Sequence, residues 1–280
     1  MERVLITGAN SYIGMSFEQW IKYNNSHIQI ETLDMLGKAW ESTDFSKYDT
    51  IFHVAGIAHQ KETKKNADIY YAVNEKLAIA VANKAKEEGV KHFVILSSMS
   101  VYGMNRGHIT KETKETPNTH YGISKYQADV AIRKLQDENF VVSILRPPMV
   151  YGNGCKGNYQ LLRKISRKIP FFPNIKNERS MIYIWNLTAF VEQIIKEKKN
   201  GIFFPQNAEY VNTADMVNKI AECNGKKMHL TTLFNWMIKI LLWMRIGIAE
   251  KVFGSLTYEK VDLCENIDFQ NSIMETEKQE

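Results

Sequence analysis

Cysteine is scarce in this 280-residue chain, which holds only Cys155, Cys223 and Cys264. An odd, widely spaced set without a Cys-x-x-Cys pair argues against a disulfide framework and for reduced thiols in a cytoplasm. The seven histidines fall at no metal-ligand spacing, and no Gly-x-Ser-x-Gly elbow occurs, so neither metal catalysis nor serine hydrolysis has support. No charged n-region and apolar core precede the first strand-like run, Val4-Leu5-Ile6, so no secretion signal is expected. A clean apolar span is also missing: the most apolar stretch, Leu230 to Ile248, carries Lys239 and Arg245 inside it. It reads as a buried or interfacial helix. With Trp236 and Trp243, a membrane surface or a partner is the alternative occupant of its outer face. Internal repeats and low-complexity segments are lacking too.

Hydrophobic residues make up 44% of the chain, enough to fill a substantial core, so disorder is excluded as the main state. The net charge of +5 arises from 36 basic against 31 acidic residues. Such a balance implies affinity for anions and does not point to a nucleic-acid partner. The densest basic run, Arg163, Lys164, Arg167 and Lys168, has helical spacing and reads as a solvated helix face, with phosphate contact as the alternative.

Val4 to Ile6 predicts a strand, followed by a small-residue turn and a helix over Ile13 to Tyr23, where Ile13, Phe17, Trp20 and Ile21 recur at helical spacing. Further strands are expected at Ile28 to Leu33, Thr50 to Val54, Val90 to Leu96 and Phe140 to Leu145. Helices are expected from Ile69 to Glu88 and through Tyr121. Near-continuous apolar strands alternating with helices imply an α/β fold, a Rossmann-type doubly wound parallel sheet covered on both faces. Beyond Pro147-Pro148 the pattern changes to shorter elements: a helix over Asn158 to Ile169, a strand over Ser180 to Ile184 and a helix from Asn186. Two interleaved domains are expected, 1–150 for the dinucleotide and the catalytic residues, and 151–280 as a smaller substrate-binding subdomain.

Between the first strand and first helix lie Thr7, Gly8, Ala9, Asn10, Ser11, Tyr12, Ile13 and Gly14. A turn of small residues there lets backbone N–H groups and a helix N-terminus approach a pyrophosphate, although Ser11 stands where a glycine is commoner. Asp34 follows Gly14 by 20 residues at the end of the second strand. A carboxylate there accepts ribose hydroxyls and repels a ribose phosphate, which puts NAD ahead of NADP. Asp44, after an expected third strand, is a weaker candidate to face the adenine.

Tyr121 and Lys125 are four apart, one helical turn, so they project from one face of a helix. An ammonium beside a phenol favours the phenolate and is expected to bring its pKa of about 10 toward neutrality, as an alcohol-to-ketone conversion requires. Leu96-Ser97-Ser98-Met99 places hydroxyls at the carboxyl end of a buried strand, the edge at which open α/β sheets bind ligands.

Thr7-Gly8 with Gly14, Ala55-Gly56, Asn74, Ser98, Tyr121-x-x-x-Lys125 and Arg146-Pro147, in that order, resemble the extended short-chain dehydrogenase/reductases, the nucleotide-sugar epimerase and dehydratase group. The likeness runs from Met1 to about Leu187. It implies that Tyr121 is the acid/base on a sugar hydroxyl, that Lys125 tunes it and binds the nicotinamide ribose, and that Ser98 hydrogen-bonds the same sugar oxygen. Asn74 would support that network, while Ala55, Gly56 and Pro147 would lie along the cofactor. Arg179 matches the position of a diphosphate contact, with a surface arginine as the alternative. Asn158 either contacts the sugar nucleotide or caps the following helix. The substrate implied is a UDP-sugar, and a homodimer is implied through the helices Ile69 to Glu88 and Tyr121 to Glu138.

Departures from the family narrow the reaction. Met99 and Ser100 replace the Asp-Glu pair that dehydratases need, and Arg146-Pro147-Pro148-Met149 lacks the asparagine of UDP-galactose 4-epimerases. Pro147-Pro148-Met149-Val150-Tyr151-Gly152 is more similar to bacterial 4-ketoreductases that make UDP-N-acetylquinovosamine. The leading expectation is therefore reduction at carbon 4 of a UDP-linked 4-keto-6-deoxy sugar for surface-polysaccharide assembly. A 4-epimerase is the near rival, and a dinucleotide-sensing regulator without catalysis is the rival of another class.

Overall fold

The computed structural model describes residues 1–58, 60, 62–63, 66–260 and 267–278. Its elements run β1 (Glu2–Thr7), α1 (Tyr12–Tyr23), β2 (Ile28–Leu33), β3 (Thr50–His53), α2 (Ala67–Tyr70), α3 (Ala78–Glu87), β4 (His92–Leu96), β5 (Gly107–Ile109), α4 (His120–Arg133) and β6 (Val141–Leu145). There follow β7 (Met149–Tyr151), α5 (Asn158–Lys168), β8 (Phe171–Pro173), β9 (Met181–Tyr183), α6 (Ile184–Glu197), β10 (Gly201–Phe203) and α7 (Thr213–Cys223). The chain closes with β11 (His229–Thr231), α8 (Asn235–Trp243), α9 (Gly247–Phe253), β12 (Leu256–Tyr258) and α10 (Phe269–Glu277). A π-helical segment, Tyr71–Leu77, joins α2 to α3, so the expected single helix winds loosely around Asn74.

Two compact units emerge. The first comprises residues 1–103, 115–147 and 187–205, and the second residues 104–114, 148–186 and 206–280. In the first, six parallel strands lie in the order β10-β6-β4-β3-β1-β2. The strands of its centre are apolar and buried because helices cover both faces: Ile51 and Phe52 on β3, Phe93 to Ile95 on β4 and Ile144 and Leu145 on β6 are all at most 1% exposed. Val81, Ala82 and Ala85 of α3 and Ala128 and Ile132 of α4 close the core over them. The chain leaves β1 toward β2 and returns on the other side at β3, making a switch point at their carboxyl ends, where a ligand crevice forms in such sheets.

The second unit is built from short parallel pairs, β5 with β12, β7 with β9 and β8 with β11, among its helices. Glu277 of α10 ties it together, accepting from the Tyr159 hydroxyl at 2.8 Å, Arg163 Nε at 2.9 Å and Asn224 Nδ2 at 2.8 Å. Arg163 and Arg167 therefore both lean on this buried carboxylate, which corrects the expectation of a wholly solvated basic face. Cys155 and Cys223 are free thiols, and Cys264 lies outside the described residues.

Candidate active site

The turn after β1 is held against its neighbours on both sides. Gly8 and Ala9 donate to the Leu33 carbonyl at 2.9 and 3.1 Å, while Val54 and Ala55 donate to the Thr7 carbonyl at 3.0 and 2.9 Å. Gly8 has φ +122°, and a Cβ there would stand 2.7 Å from the Ala55 nitrogen, so only glycine fits. Asn10 adopts φ 62°, a left-handed conformation that asparagine tolerates. Ser11 then caps α1 by accepting from the Gly14 amide at 3.2 Å, a use for the residue that stands in place of the commoner glycine. Tyr12 and Ile13 open that helix, and Gly14 packs it onto the sheet, because a Cβ there would lie 3.1 Å from Ile6 Cγ2.

Asp34 sits just past β2, exposed, with one carboxylate oxygen accepting from the Leu36 amide at 2.9 Å. Its place next to Leu33 brings it beside the Gly8–Ala9 turn, as a ribose ligand requires. Asp44 is different. No strand precedes it between β2 and β3, and its carboxylate closes a local turn on the Ser46 amide and hydroxyl at 2.9 and 2.6 Å. The expected third strand is a short 3₁₀ turn, Ala39–Ser42.

Along the same sheet edge, Ser98 follows β4 and caps a 3₁₀ turn, accepting from Ser100 N at 3.1 Å. The Met99 amide donates to the Pro147 carbonyl at 3.0 Å, which joins the ends of β4 and β6. On α4, Lys125 is 6% exposed and its Nζ donates to the Leu96 carbonyl at 2.9 Å. Asn74 is fully buried; it accepts from the Ile57 amide at 2.8 Å and donates to the Ile57 carbonyl at 3.1 Å and Ser124 Oγ at 3.2 Å. It thus clamps the loop after β3 to α4. A Cβ on Gly56 would lie 3.0 Å from Asn74 Oδ1 and 3.1 Å from Lys125 Nζ, so glycine keeps the backbone open beside the ammonium.

Electrostatics correct one expectation. Burial pushes the Tyr121 phenol above its usual value, and the Ser98 hydroxyl opposes this by hydrogen bonding to it. Lys125 does not ionise it. Instead burial brings Lys125 itself down to about 8, with Asp129 opposing the fall. Desolvation dominates both groups, and the charge that acts on each is Asp129. Tyr121 therefore carries its proton at neutral pH.

Two supports escaped the motif reading. Asp129 lies one helical turn past Lys125 and is fully buried, bonded to Arg146 Nε at 3.0 Å. Arg146 in turn reaches Glu115 at 2.8 Å and the Tyr102 hydroxyl at 2.7 Å. The spacing Tyr121, Lys125, Asp129 was visible as one face of a helix. The second support is Glu62, whose carboxylate accepts from the His120 and Tyr121 amides at 3.0 Å each, an acid at the positive end of α4. No local pattern in the sequence marks it.

In the second unit, Arg179 donates to the Gly254 carbonyl at 2.8 Å and the Glu250 carbonyl at 3.4 Å, at the carboxyl end of α9. Its Nη1 is thus held by backbone carbonyls, and the residue is half-buried rather than a surface arginine. Asn158 is exposed and is the first residue of α5, whose cap is Gly157, so it does not cap that helix by its side chain. Among the described residues no group of acids, histidines or cysteines could hold a metal ion.

A parallel sheet with a glycine-lined crevice at its switch point, and a tyrosine and lysine helix along the same edge, defines a dinucleotide-dependent enzyme of Rossmann type. Residues 4–202 match the NAD dependent epimerase/dehydratase family, and the chain belongs to it. It is similar to UDP-glucose 4-epimerase of Vibrio cholerae, 28% identical over 94% of this chain and 84% of that protein. It is also similar to the N-acetyl-alpha-D-glucosaminyl-diphospho-ditrans,octacis-undecaprenol 4-epimerase of Escherichia coli O157:H7, 28% identical over 65% of this chain and 58% of that one. Among solved structures, UDP-glucuronic acid 4-epimerase from Bacillus cereus in complex with NAD superposes with a TM-score of 0.74 at 16% identity, covering 98% of this chain and 97% of that one. The cofactor is NAD. The chain's residues fit it: glycines at positions 8 and 56 leave room for close approach, and Asp34 offers ribose a carboxylate.

Proposed function

We propose that the enzyme interconverts a hydroxyl and a ketone at carbon 4 of a UDP-sugar, running as a reductase of a 4-keto-6-deoxy sugar in surface-polysaccharide assembly. The observation that carries this reading is the geometry at the sheet edge: Ser98 follows β4, and α4 sets a half-buried Tyr121 one turn from Lys125, its phenol hydrogen-bonded by the Ser98 hydroxyl and held above its ordinary value by desolvation. Reduction begins by giving a proton to a carbonyl oxygen, and such a phenol is ready to give it. The nicotinamide, when bound, supplies the hydride. Ser98 holds the sugar oxygen in line with Tyr121. Lys125, cationic at neutral pH, stabilises the phenolate left after proton transfer and binds the nicotinamide ribose. Asn74 holds the loop at Ala55 and Gly56 along which the cofactor lies. Arg179 and Asn158 are the candidate contacts to the sugar nucleotide.

A second reading, 4-epimerisation, is favoured by the two curated relatives, both named as 4-epimerases. The two readings differ in what happens to the cofactor. Incubating the purified enzyme with NADH and 4-keto-6-deoxy UDP-sugars should consume NADH stoichiometrically; conversion of UDP-glucose or UDP-N-acetylglucosamine with cofactor unconsumed would select the epimerase. In either case Tyr121→Phe should lower kcat by about 10²- to 10⁴-fold with NAD affinity retained. Unchanged turnover in that variant rejects Tyr121 as the proton donor.

A further inference from the structure

Helix α8 and the start of α9 present an apolar surface that the second unit does not cover. Ile238 faces inward at 5% exposure and the half-buried Leu241 and Leu242 flank it. The opposite face, at helical spacing, is formed by Trp236, Met237, Ile240, Trp243 and Met244, with Trp236 66% and Trp243 82% exposed. Leu233 precedes it and Ile248, 80% exposed, follows on α9. A helix this rich in large apolar residues is ordinarily enclosed or in lipid; here half of it meets water.

Along the chain that carries this face, the exposed charge from residue 226 to residue 258 is of one sign. Lys226, Lys227, Lys239, Arg245 and Lys251 are all exposed. The only acid from residue 226 to residue 258 is Glu250, which is 7% exposed and already engaged by Arg106 Nε at 3.4 Å and Asn105 Nδ2 at 3.4 Å. An exposed tryptophan pair flanked by unopposed cations matches an anionic bilayer surface, whose headgroup layer takes both the indoles and the charges. A second copy of the chain matches it poorly, since a two-fold contact would bring the same cations together. Crossing is excluded by length: no helix among the described residues is long and apolar enough to span a membrane.

We infer that the α8–α9 face docks the enzyme peripherally on an anionic lipid surface, with Trp236, Trp243, Ile240 and Ile248 entering the headgroup region. This is independent of which carbon-4 reaction the enzyme performs. The test is co-sedimentation of the full chain with phosphatidylglycerol/phosphatidylcholine vesicles and with phosphatidylcholine vesicles alone, with tryptophan quenching by brominated lipids alongside. Anionic vesicles should bind the protein at least about tenfold better than neutral ones, with the advantage reduced by salt. Trp236→Glu with Trp243→Glu should cut the bound fraction about tenfold or more while NAD affinity is kept, and Lys239→Glu with Arg245→Glu should abolish the preference for anionic lipid. Absence of binding to anionic vesicles at low salt, binding indifferent to both variants, or tryptophans unquenched in the bound wild type would each overturn the inference. So would light scattering that shows an assembly dissolved by the tryptophan substitutions without any vesicle binding, which would assign the face to a second copy.

Discussion

At the scale of single residues, identity and spacing placed Tyr121 and Lys125 on one helical face, but not the direction of their pKa shifts. Spacing reports which groups share a side of a helix; desolvation sums over every atom around them, most from distant parts of the chain. The consequence is measurable in the cofactor-free protein. Lys125 has an ordinary value of 10.5 and about 8 when folded. Below pH 8 the buried ammonium is charged in both states and its penalty is present in full. Between 8 and about 10 the unfolded chain keeps a proton that the folded one releases, so stability should rise with pH, by up to about 3 kcal/mol for the whole window. Lys125→Met should flatten that rise in denaturant titrations; an unchanged slope would show that another group titrates. The glycine at position 8 is equally specific. Gly8→Ala meets both a left-handed φ and the Ala55 nitrogen, and should cost about 1–3 kcal/mol by thermal unfolding together with a large loss of NAD affinity.

At the scale of elements, the central strands of the sheet were legible because a buried parallel strand is a near-continuous apolar run, as in β4, while the mostly uncovered edge strand β2 still begins and ends where the sequence predicts. Elements defined by partners were less so. The strand expected before Asp44 is absent, since propensity alone does not create a pairing edge. The stretch from Leu230 to Ile248 is not one helix: it opens on the end of β11, holds α8, and passes into α9 after Arg245 turns to φ 55°. The last helix illustrates the same dependence. Nothing in the local pattern of α10 marks Glu277 as a hub, yet three side chains, two from α5 and one at the end of α7, donate to its carboxylate. Glu277→Ala should destabilise the second unit by about 2–3 kcal/mol, because the Tyr159 hydroxyl loses a buried acceptor and Arg163 its partner. A melting temperature equal to wild type would remove Glu277 from this role.

At the scale of the whole molecule, the chain passes between its two compact units, with residues 104–114 in the second and 187–205 in the first. Assembly is an expectation from the family resemblance. The groove between α3 and α4, lined by Glu75, Ile79, Tyr126, Val130 and Lys134, is the surface on which a second copy would pack. Light scattering should give twice the chain mass for wild type and a monomer for Tyr126→Glu with Val130→Glu. A monomeric wild type, or a variant that stays dimeric, would move the interface elsewhere.

Local rules sufficed for the order of strands and helices, the small-residue turn between β1 and α1, and the helix that carries Tyr121 and Lys125, because each depends on neighbours a few residues away. Only the tertiary structure decided that the phenol stays protonated, that Asp129 and Arg146 stand behind the lysine, that Arg179 binds backbone carbonyls and that the tryptophans of α8 remain in water. Those properties depend on burial and on contacts between residues far apart in the chain, and periodicity carries no information about either.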